Sequence, residues 1–240
     1  MKKDKSFYLT DPWLDPFVQI INDRFKKCTE TESLLTGGKS LCDFALGHHY
    51  YGLHRDNGDW VLREWAPNAT AIFITGPFSG WKESETYRMK RLNEEGNWEI
   101  RLPGELLKHE DIFKLSVHWD GGSGERLPSY ANRVVQDDKT KIFSASVWSP
   151  EKQYKWKHND FRPDPGVPVI YESHVGMATD EEKTGTFREF TRNVLPYVAK
   201  AGYNTVQLMA IQEHPFYGSF GYHVANFFAP SSRFGTPEEL

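Results

Sequence analysis

The sequence predicts a multidomain chain, β then α/β: an N-terminal helical segment, a β-sandwich, and the opening βαβ part of a larger α/β domain. Three observations carry this expectation. Short alternations of apolar and polar residues, parted by turn residues, fill positions 46–148. A proline-rich crossing, Arg162-Pro163-Asp164-Pro165-Gly166-Val167-Pro168, then breaks the pattern, because proline suits neither a helix interior nor a central strand. Beyond it, strand-like, helix-like and strand-like runs follow one another between Val169 and Ile211.

Each element has a local reason. Asp11-Pro12 and Asp15-Pro16 offer helix starts, Phe17, Ile20, Ile21 and Phe25 recur at helical spacing, and Gly37-Gly38 ends the run. In Asn97–Leu102 the residues Trp98, Ile100 and Leu102 alternate with polar ones, so one face packs and the other is wet. In Ile112–Trp119, Phe113, Leu115, Val117 and Trp119 share a face, and Lys114, Ser116 and His118 share the opposite one. Trp60–Trp65 and Ala69–Thr75 are further strands; turns are expected at 56–59, 77–80, 93–96 and at Gly121-Gly122-Ser123-Gly124. Val169–Val175 and Asn204–Ile211 read as buried-type strands flanking a helix marked by Phe187, Phe190, Val194 and Val198, interrupted near Pro196 and ended by Gly202. Thr236-Pro237-Glu238-Glu239 reads as an N-cap, a proline in the first turn and an acidic start, so it announces another helix. One βαβ unit cannot cover a parallel sheet on both faces, and the expectation is a barrel truncated at Leu240. The expected domains are 1–45, 46–148, a linker at 149–166, and 167–240.

Composition narrows the function. With 240 residues, 38% hydrophobic and 26% charged, the chain is globular and holds one or two domains. A net charge of −4 without a basic block argues against nucleic acid as a partner. No apolar run approaches membrane-spanning length, and Met1-Lys2-Lys3-Asp4-Lys5 leads into no signal-peptide core, so no membrane partner and a cytoplasmic location are expected. Cys28 and Cys42 lack metal-type spacing and are expected to be free thiols. The aromatic content, 15%, is high, and aromatic rings either fill cores or offer flat faces to ligands.

A set of ordered strings goes further: Tyr51-Gly52-Leu53-His54, Arg63-Glu64-Trp65-Ala66-Pro67-Asn68-Ala69, Gly76-Pro77-Phe78-Ser79-Gly80-Trp81, Ile170-Tyr171-Glu172-Ser173-His174-Val175-Gly176, Asn193-Val194-Leu195-Pro196, Gln207-Leu208-Met209-Ala210-Ile211-Gln212-Glu213-His214, Ser219-Phe220-Gly221-Tyr222 and Ser231–Leu240. Through them the chain resembles the eukaryotic-type 1,4-α-glucan (glycogen) branching enzymes of the α-amylase superfamily, from about Tyr51 onward. The resemblance implies an immunoglobulin-like, starch-binding-type β-sandwich that binds glucan, followed by the start of a (β/α)₈ catalytic barrel. It implies α-glucan (glycogen, amylose, malto-oligosaccharides) as partner and chemistry that needs neither metal nor organic cofactor. The family's three catalytic carboxylates are expected after Leu240, so no catalytic residue is assigned here and the chain itself is expected to be inactive.

The same resemblance suggests substrate-binding positions. Trp81, lifted by the small-residue turn before it, stacks on a glucose face, with Lys82 beside it; Pro77 and Ser79 depart from the Asp and Asn more usual in the family. Trp65 and Pro67 match glucan-contacting residues, as do Glu94, Glu95, Gly96 and Asn97 in a hairpin turn, with Asn97 as bidentate donor and acceptor. Lys114 matches a lysine that reaches the sugar, and Tyr222 a tyrosine that stacks in the donor subsite; Tyr171, Glu172 and His174 support that pocket from below. Glu213-His214 is expected to bind no metal. Rival readings are a stand-alone glycogen- or starch-binding protein and a debranching or hydrolysing member of the same superfamily.

Overall fold

A computed structural model describes residues 11–152, 154–163 and 166–240. The charged opening Met1–Lys5 and part of the proline-rich crossing, Asp164 and Pro165, lie outside the described residues. The chain divides into two compact units, one up to Tyr50 and one from Tyr51.

In the first unit, Asp11 caps a 3₁₀ turn over Pro12–Phe17 by accepting a hydrogen bond from the Trp13 N–H at 3.0 Å. Helix α1 (Val18–Thr36) follows, and Gly37 closes it in the left-handed region at φ 58°, which glycine adopts without steric cost. Phe17 and Ile20 of the expected apolar stripe are exposed. Two short helices, α2 (Leu41–Phe44) and α3 (Gly47–Tyr50), complete the unit.

The second unit begins with two antiparallel sheets. The first contains β1 (Gly52–Asp56), β2 (Asp59–Trp65), β4 (Lys90–Arg91) and β5 (Asn97–Leu102), in the order β1-β2-β5-β4, and the second is built on β3 (Ala69–Thr75) and β6 (Ile112–Trp119). Strands β7 (Gly122–Arg126), β8 (Val134–Gln136) and β9 (Phe143–Ser146) extend the second sheet; β7 and β9 pair with different stretches of β6, and β8 pairs with β9. The β1–β2 hairpin turns on Asn57 and Gly58, both at positive φ, which matches the twist of the flanking strands.

Alternation builds the core. Trp60 and Leu62 of β2 and Trp98, Ile100 and Leu102 of β5 meet Ile72 and Ile74 of β3 and Phe113 and Leu115 of β6 in one buried cluster. Each such side chain stabilises the fold by roughly 1.5–3 kcal/mol. The indole N–H groups that burial would strand are satisfied: Trp60 donates to the Leu107 carbonyl and Trp98 to the Ala66 carbonyl, each at 3.0 Å.

Glu64, at the edge of this core, is buried. Its carboxylate accepts from the Ser129 N–H at 2.8 Å and the Trp65 N–H at 3.1 Å, yet burial outweighs these bonds and pushes its pKa above the ordinary range. The folded state thus holds this proton more tightly than the unfolded chain. Stability contributed at this site is fully present below the unfolded pKa and is lost as pH rises through the raised folded value. Unfolding by urea at about pH 4 and about pH 7 should therefore show the stability of the wild type, relative to Glu64→Gln, falling as pH rises. A difference that stays constant or grows would contradict this.

The α/β region pairs β10 (Ile170–Ser173) with β11 (Thr205–Leu208) in parallel, register Ile170 to Thr205. Between them, Thr186 and Glu189 cap helix α4 (Phe187–Glu189) reciprocally, a π-turn spans Phe190–Val194, and α5 (Leu195–Lys200) carries Pro196 in its first turn. The widened turn accommodates a proline that has no N–H and would crowd the carbonyl one turn back. Val175, Phe187, Phe190 and Phe234 form the core here, with Val206 and Leu208 packed against it.

Two expectations need correction. The runs 169–175 and 204–211 are not fully buried strands: Val206 and Leu208 turn inward while Thr205, Gln207, Ile170 and Glu172 are exposed, because apolar packing covers one face of this two-stranded sheet. Gly122–Gly124 is not a turn but the start of β7, held by β6, whose Val117 and Trp119 pair with Gly124 and Gly122. At Thr236–Glu239 the expected first turn forms: the Thr236 carbonyl accepts from the Glu239 N–H at 3.1 Å and the Leu240 N–H at 3.4 Å, and the Glu239 carboxylate accepts from the Thr236 N–H at 3.2 Å and meets Arg188 at 2.6 Å.

A last antiparallel pair, β12 (Gln212–Glu213) and β13 (Asn226–Pro230), leads back to the sandwich. The Asn226 amide donates to the Pro128 carbonyl at 3.0 Å, and the Phe228 ring stacks on Tyr130 at 4.3 Å. These contacts fasten the α/β region to the sandwich within one unit.

Candidate glucan-binding site

Trp81 is placed by an unusual backbone. Pro77–Ser79 form a 3₁₀ turn, Gly80 enters the left-handed region at φ 60°, and Trp81 stays there at φ 59°. A bulky residue in that region costs about 1–2 kcal/mol. The Trp81 N–H is held at 2.9 Å by the Gly76 carbonyl, and the ring remains 41% exposed. The loop is tied down beyond the ring: the Glu83 carboxylate accepts from the Ser116 hydroxyl at 2.6 Å and lies 2.8 Å from His118 Nε2, and these bonds, Ser116 first, hold its pKa below the ordinary range.

Lys114 pairs in register with Thr75 at the end of β3. Although on the polar face of β6 it is only 7% exposed, and its ammonium lies 2.6 Å from Glu125 Oε2 and 5.7 Å from the centre of the Trp81 ring. Trp81, Lys114 and Glu125, with Asp137, Thr140 and Ile142 opposite, line an open groove of about 380 Å³. An exposed ring beside fixed charged and hydroxyl groups can stack on a sugar face while bonding its hydroxyls. Lys82 is exposed next to the groove's tryptophan and makes no ion pair among the described residues.

The other positions in the sandwich gather elsewhere. Trp65, 56% exposed, donates its indole N–H to the Glu95 carbonyl at 2.9 Å. Gly96, at φ +85°, is pressed so closely on Pro67 that an added Cβ would lie 2.2 Å from the Pro67 Cα. Gly96 is therefore buried packing, with its carbonyl taken by the Ala66 N–H, and Glu94 and Glu95 are exposed beside it. The Asn97 amide is engaged at both ends: its oxygen accepts from the Tyr51 hydroxyl at 2.5 Å and its nitrogen donates to Asn93 at 3.1 Å. A sugar would have to displace these partners. Arg91 donates to the Pro67 carbonyl at 3.1 Å and so links this cluster to the start of β3, whose far end meets Lys114. The length of β3 puts about 20 Å between the two clusters.

Tyr222 belongs to the α/β region. Its exposed ring places the hydroxyl 3.4 Å from Met209 Sδ, just past β11, and the neighbouring Phe220 carbonyl lies 2.9 Å from His174 Nε2, just past β10. The Phe220–Tyr222 segment thus sits over the carboxyl ends of the two parallel strands, where ligand sites of α/β sheets form. Tyr171 meets Tyr203 edge to face, and Glu172 accepts from Gln207 at 2.7 Å. Glu213, fully buried, accepts from the Ser232 and His214 N–H groups and from Arg233, which makes it a brace for β12 and β13. Among the described residues no group of three or more His, Cys, Asp or Glu is placed to hold a metal, and no helix is long and apolar enough to cross a membrane.

Residues 45–131 match the profile of carbohydrate-binding module 48 (isoamylase N-terminal domain). Over 96% of its length the chain is 41% identical to a 1,4-alpha-glucan-branching enzyme of Yarrowia lipolytica, 42% to one of Aspergillus oryzae and 40% to one of Felis catus. The chain is similar to these branching enzymes over nearly its whole length. It spans about a third of their length, 34% in each case. Among solved structures it is similar to a pullulanase of Group B Streptococcus (TM-score 0.62, 18% identity, 79% of this chain and 30% of that one). It is also similar to a pullulanase from Paenibacillus barengoltzii complexed with maltotriose (TM-score 0.57, 20% identity, 87% and 37%). At such identities the likeness concerns the fold.

The sequence pointed to Trp81 and Lys114 but not to their neighbours Glu83, Glu125 and Ile142. Glu125 was hidden because the glycine-rich stretch before it reads as a turn. Glu83 carried a usable signal, an acidic residue opposite the polar Ser116/His118 face of β6.

Proposed function

We propose that this chain is the glucan-binding front portion of a 1,4-α-glucan branching enzyme, with 46–148 as the binding sandwich and 167–240 as the opening of an α-amylase-type (β/α)₈ barrel. The observation that carries this reading is the Trp81 ring, exposed from a strained left-handed backbone and set beside a buried lysine ion-paired with Glu125. Backbone strain kept at an exposed aromatic residue has no packing benefit and is consistent with a binding surface. The cluster around Trp65, at the other end of β3, would offer a second contact for a long polymer, which raises effective affinity for glycogen over short oligosaccharides.

The parent enzyme would cut an α-1,4 bond and pass the chain to the 6-hydroxyl of another glucan with retention of configuration. One carboxylate attacks the anomeric carbon while another protonates the leaving oxygen. This reading assigns none of those carboxylates to the 240 residues of this sequence. Here Tyr222 would stack on the donor sugar at the carboxyl ends of β10 and β11.

The test is affinity electrophoresis of the 240-residue chain in native gels with and without glycogen. Retardation by glycogen is the expected result, and equal mobility in both gels would contradict the reading. The same polypeptide should leave the iodine colour of amylose unchanged. The whole protein should lower the long-wavelength absorbance without new reducing ends; new reducing ends would mark a debranching or hydrolytic enzyme.

A further inference from the structure

We propose that a second groove, between β8 and the segment that follows β12, binds the phosphate monoester of a sugar. This groove of about 680 Å³ is lined by Arg133, Arg233, Lys141, Gln136 and Phe216, with Asp138 as the one carboxylate in its lining. Arg133 is the decisive residue. It is 8% exposed, its Nη1 donates to the Gly235 carbonyl at 2.6 Å, and its Nε has no hydrogen-bond partner. No carboxylate lies within ion-pair distance of it among the described residues. Glu213, Glu110, Glu238 and Glu239 act on it only through their field, and burial holds its pKa below the ordinary value.

A desolvated guanidinium without a counter-ion favours an arriving anion, and its planar donor set suits phosphate oxygens. Arg233 plays a different part. It is engaged by Glu213 and by the carbonyls of His214 and Pro215, and it fixes Gln136 through an Nη2 bond at 2.9 Å. Lys141, exposed and held at φ 60°, adds a third cation on the groove wall. The exposed Phe216 ring supplies an apolar face, and the space exceeds what bare phosphate needs, so a sugar carrying the phosphate fits better. The two grooves border the same 137–142 turn but share no lining residue.

Titration calorimetry of the full 240-residue chain at low salt tests it, with glucose 6-phosphate, glucose and inorganic phosphate as probes. The phosphorylated sugar should bind at least about tenfold more tightly than glucose. Inorganic phosphate should compete with it, and the preference should shrink as salt is raised. Lys141→Gly and Phe216→Ala, both at exposed positions, should each weaken binding several-fold with melting temperatures no lower than the wild type's. Arg133→Gln should abolish the preference, and Trp81→Ala should leave it intact. Phosphate-bearing amylopectin compared with its phosphatase-treated form distinguishes the source: a preference there as well assigns the site to a phosphorylated polymer, and its absence to a small sugar phosphate. Equal affinity for glucose and glucose 6-phosphate, or a preference that survives Lys141→Gly and Phe216→Ala unchanged, would overturn the proposal.

Discussion

Trp81→Gly is expected to lose most glucan binding while leaving the sandwich at least as stable as the wild type. The ring is exposed and the backbone sits at φ 59°, where glycine is at ease and tryptophan is strained. Removing the side chain therefore relieves about 1 kcal/mol rather than opening a cavity. Binding responds in the opposite direction, because an aromatic anchor of this kind accounts for about 2 kcal/mol or more, roughly a 30-fold loss of affinity. Retardation in glycogen gels measures one effect and thermal unfolding the other. Trp65→Ala should cost less, since it sits at the other end of β3 and leaves the groove intact. A Trp81→Gly protein that is as strongly retarded as the wild type would remove the ring from the site.

The second large effect is expected at Gly96. In Gly96→Ala the new methyl would lie 2.2 Å from the Pro67 Cα and 2.6 Å from its nitrogen, so the backbone must move, and φ +85° adds its own penalty. The expected loss is about 2–4 kcal/mol of sandwich stability, with weakened contacts at Trp65 and Asn97. Gly58→Ala serves as the control. Its φ of +93° carries a similar conformational cost, but nothing lies within 4 Å of the added carbon, so about 1 kcal/mol is expected. Equal losses in the two variants, by denaturant unfolding, would show that the approach to Pro67 does not matter.

Elements shaped by local forces were legible in the sequence, and elements shaped by tertiary partners were not. Trp98, Ile100 and Leu102 were legible as an inward face because period-2 alternation is written in the strand itself. Strand β7 was not, since Gly122-Ser123-Gly124 has no such pattern and is extended only because β6 offers it backbone partners. That misreading also concealed Glu125, and with it the ion pair that fixes Lys114 under Trp81. The exposure of Trp81 was foreseeable from the Pro77–Gly80 turn before it, whereas the engagement of the Asn97 amide by Tyr51 and Asn93 depends on residues brought in by tertiary packing. The separation of the candidate residues into two clusters was likewise invisible, because it follows from the pairing register of β3 with β6.

The most direct measurement is a two-dimensional ¹⁵N–¹H spectrum of the tryptophan indole N–H groups during titration with maltoheptaose. The Trp81 signal should move first and the Trp65 signal at higher ligand concentration. Those of Trp60 and Trp98, buried and bonded to the Leu107 and Ala66 carbonyls, should stay in place. A titration in which neither Trp81 nor Trp65 moves would contradict the claim that this sandwich binds α-glucan.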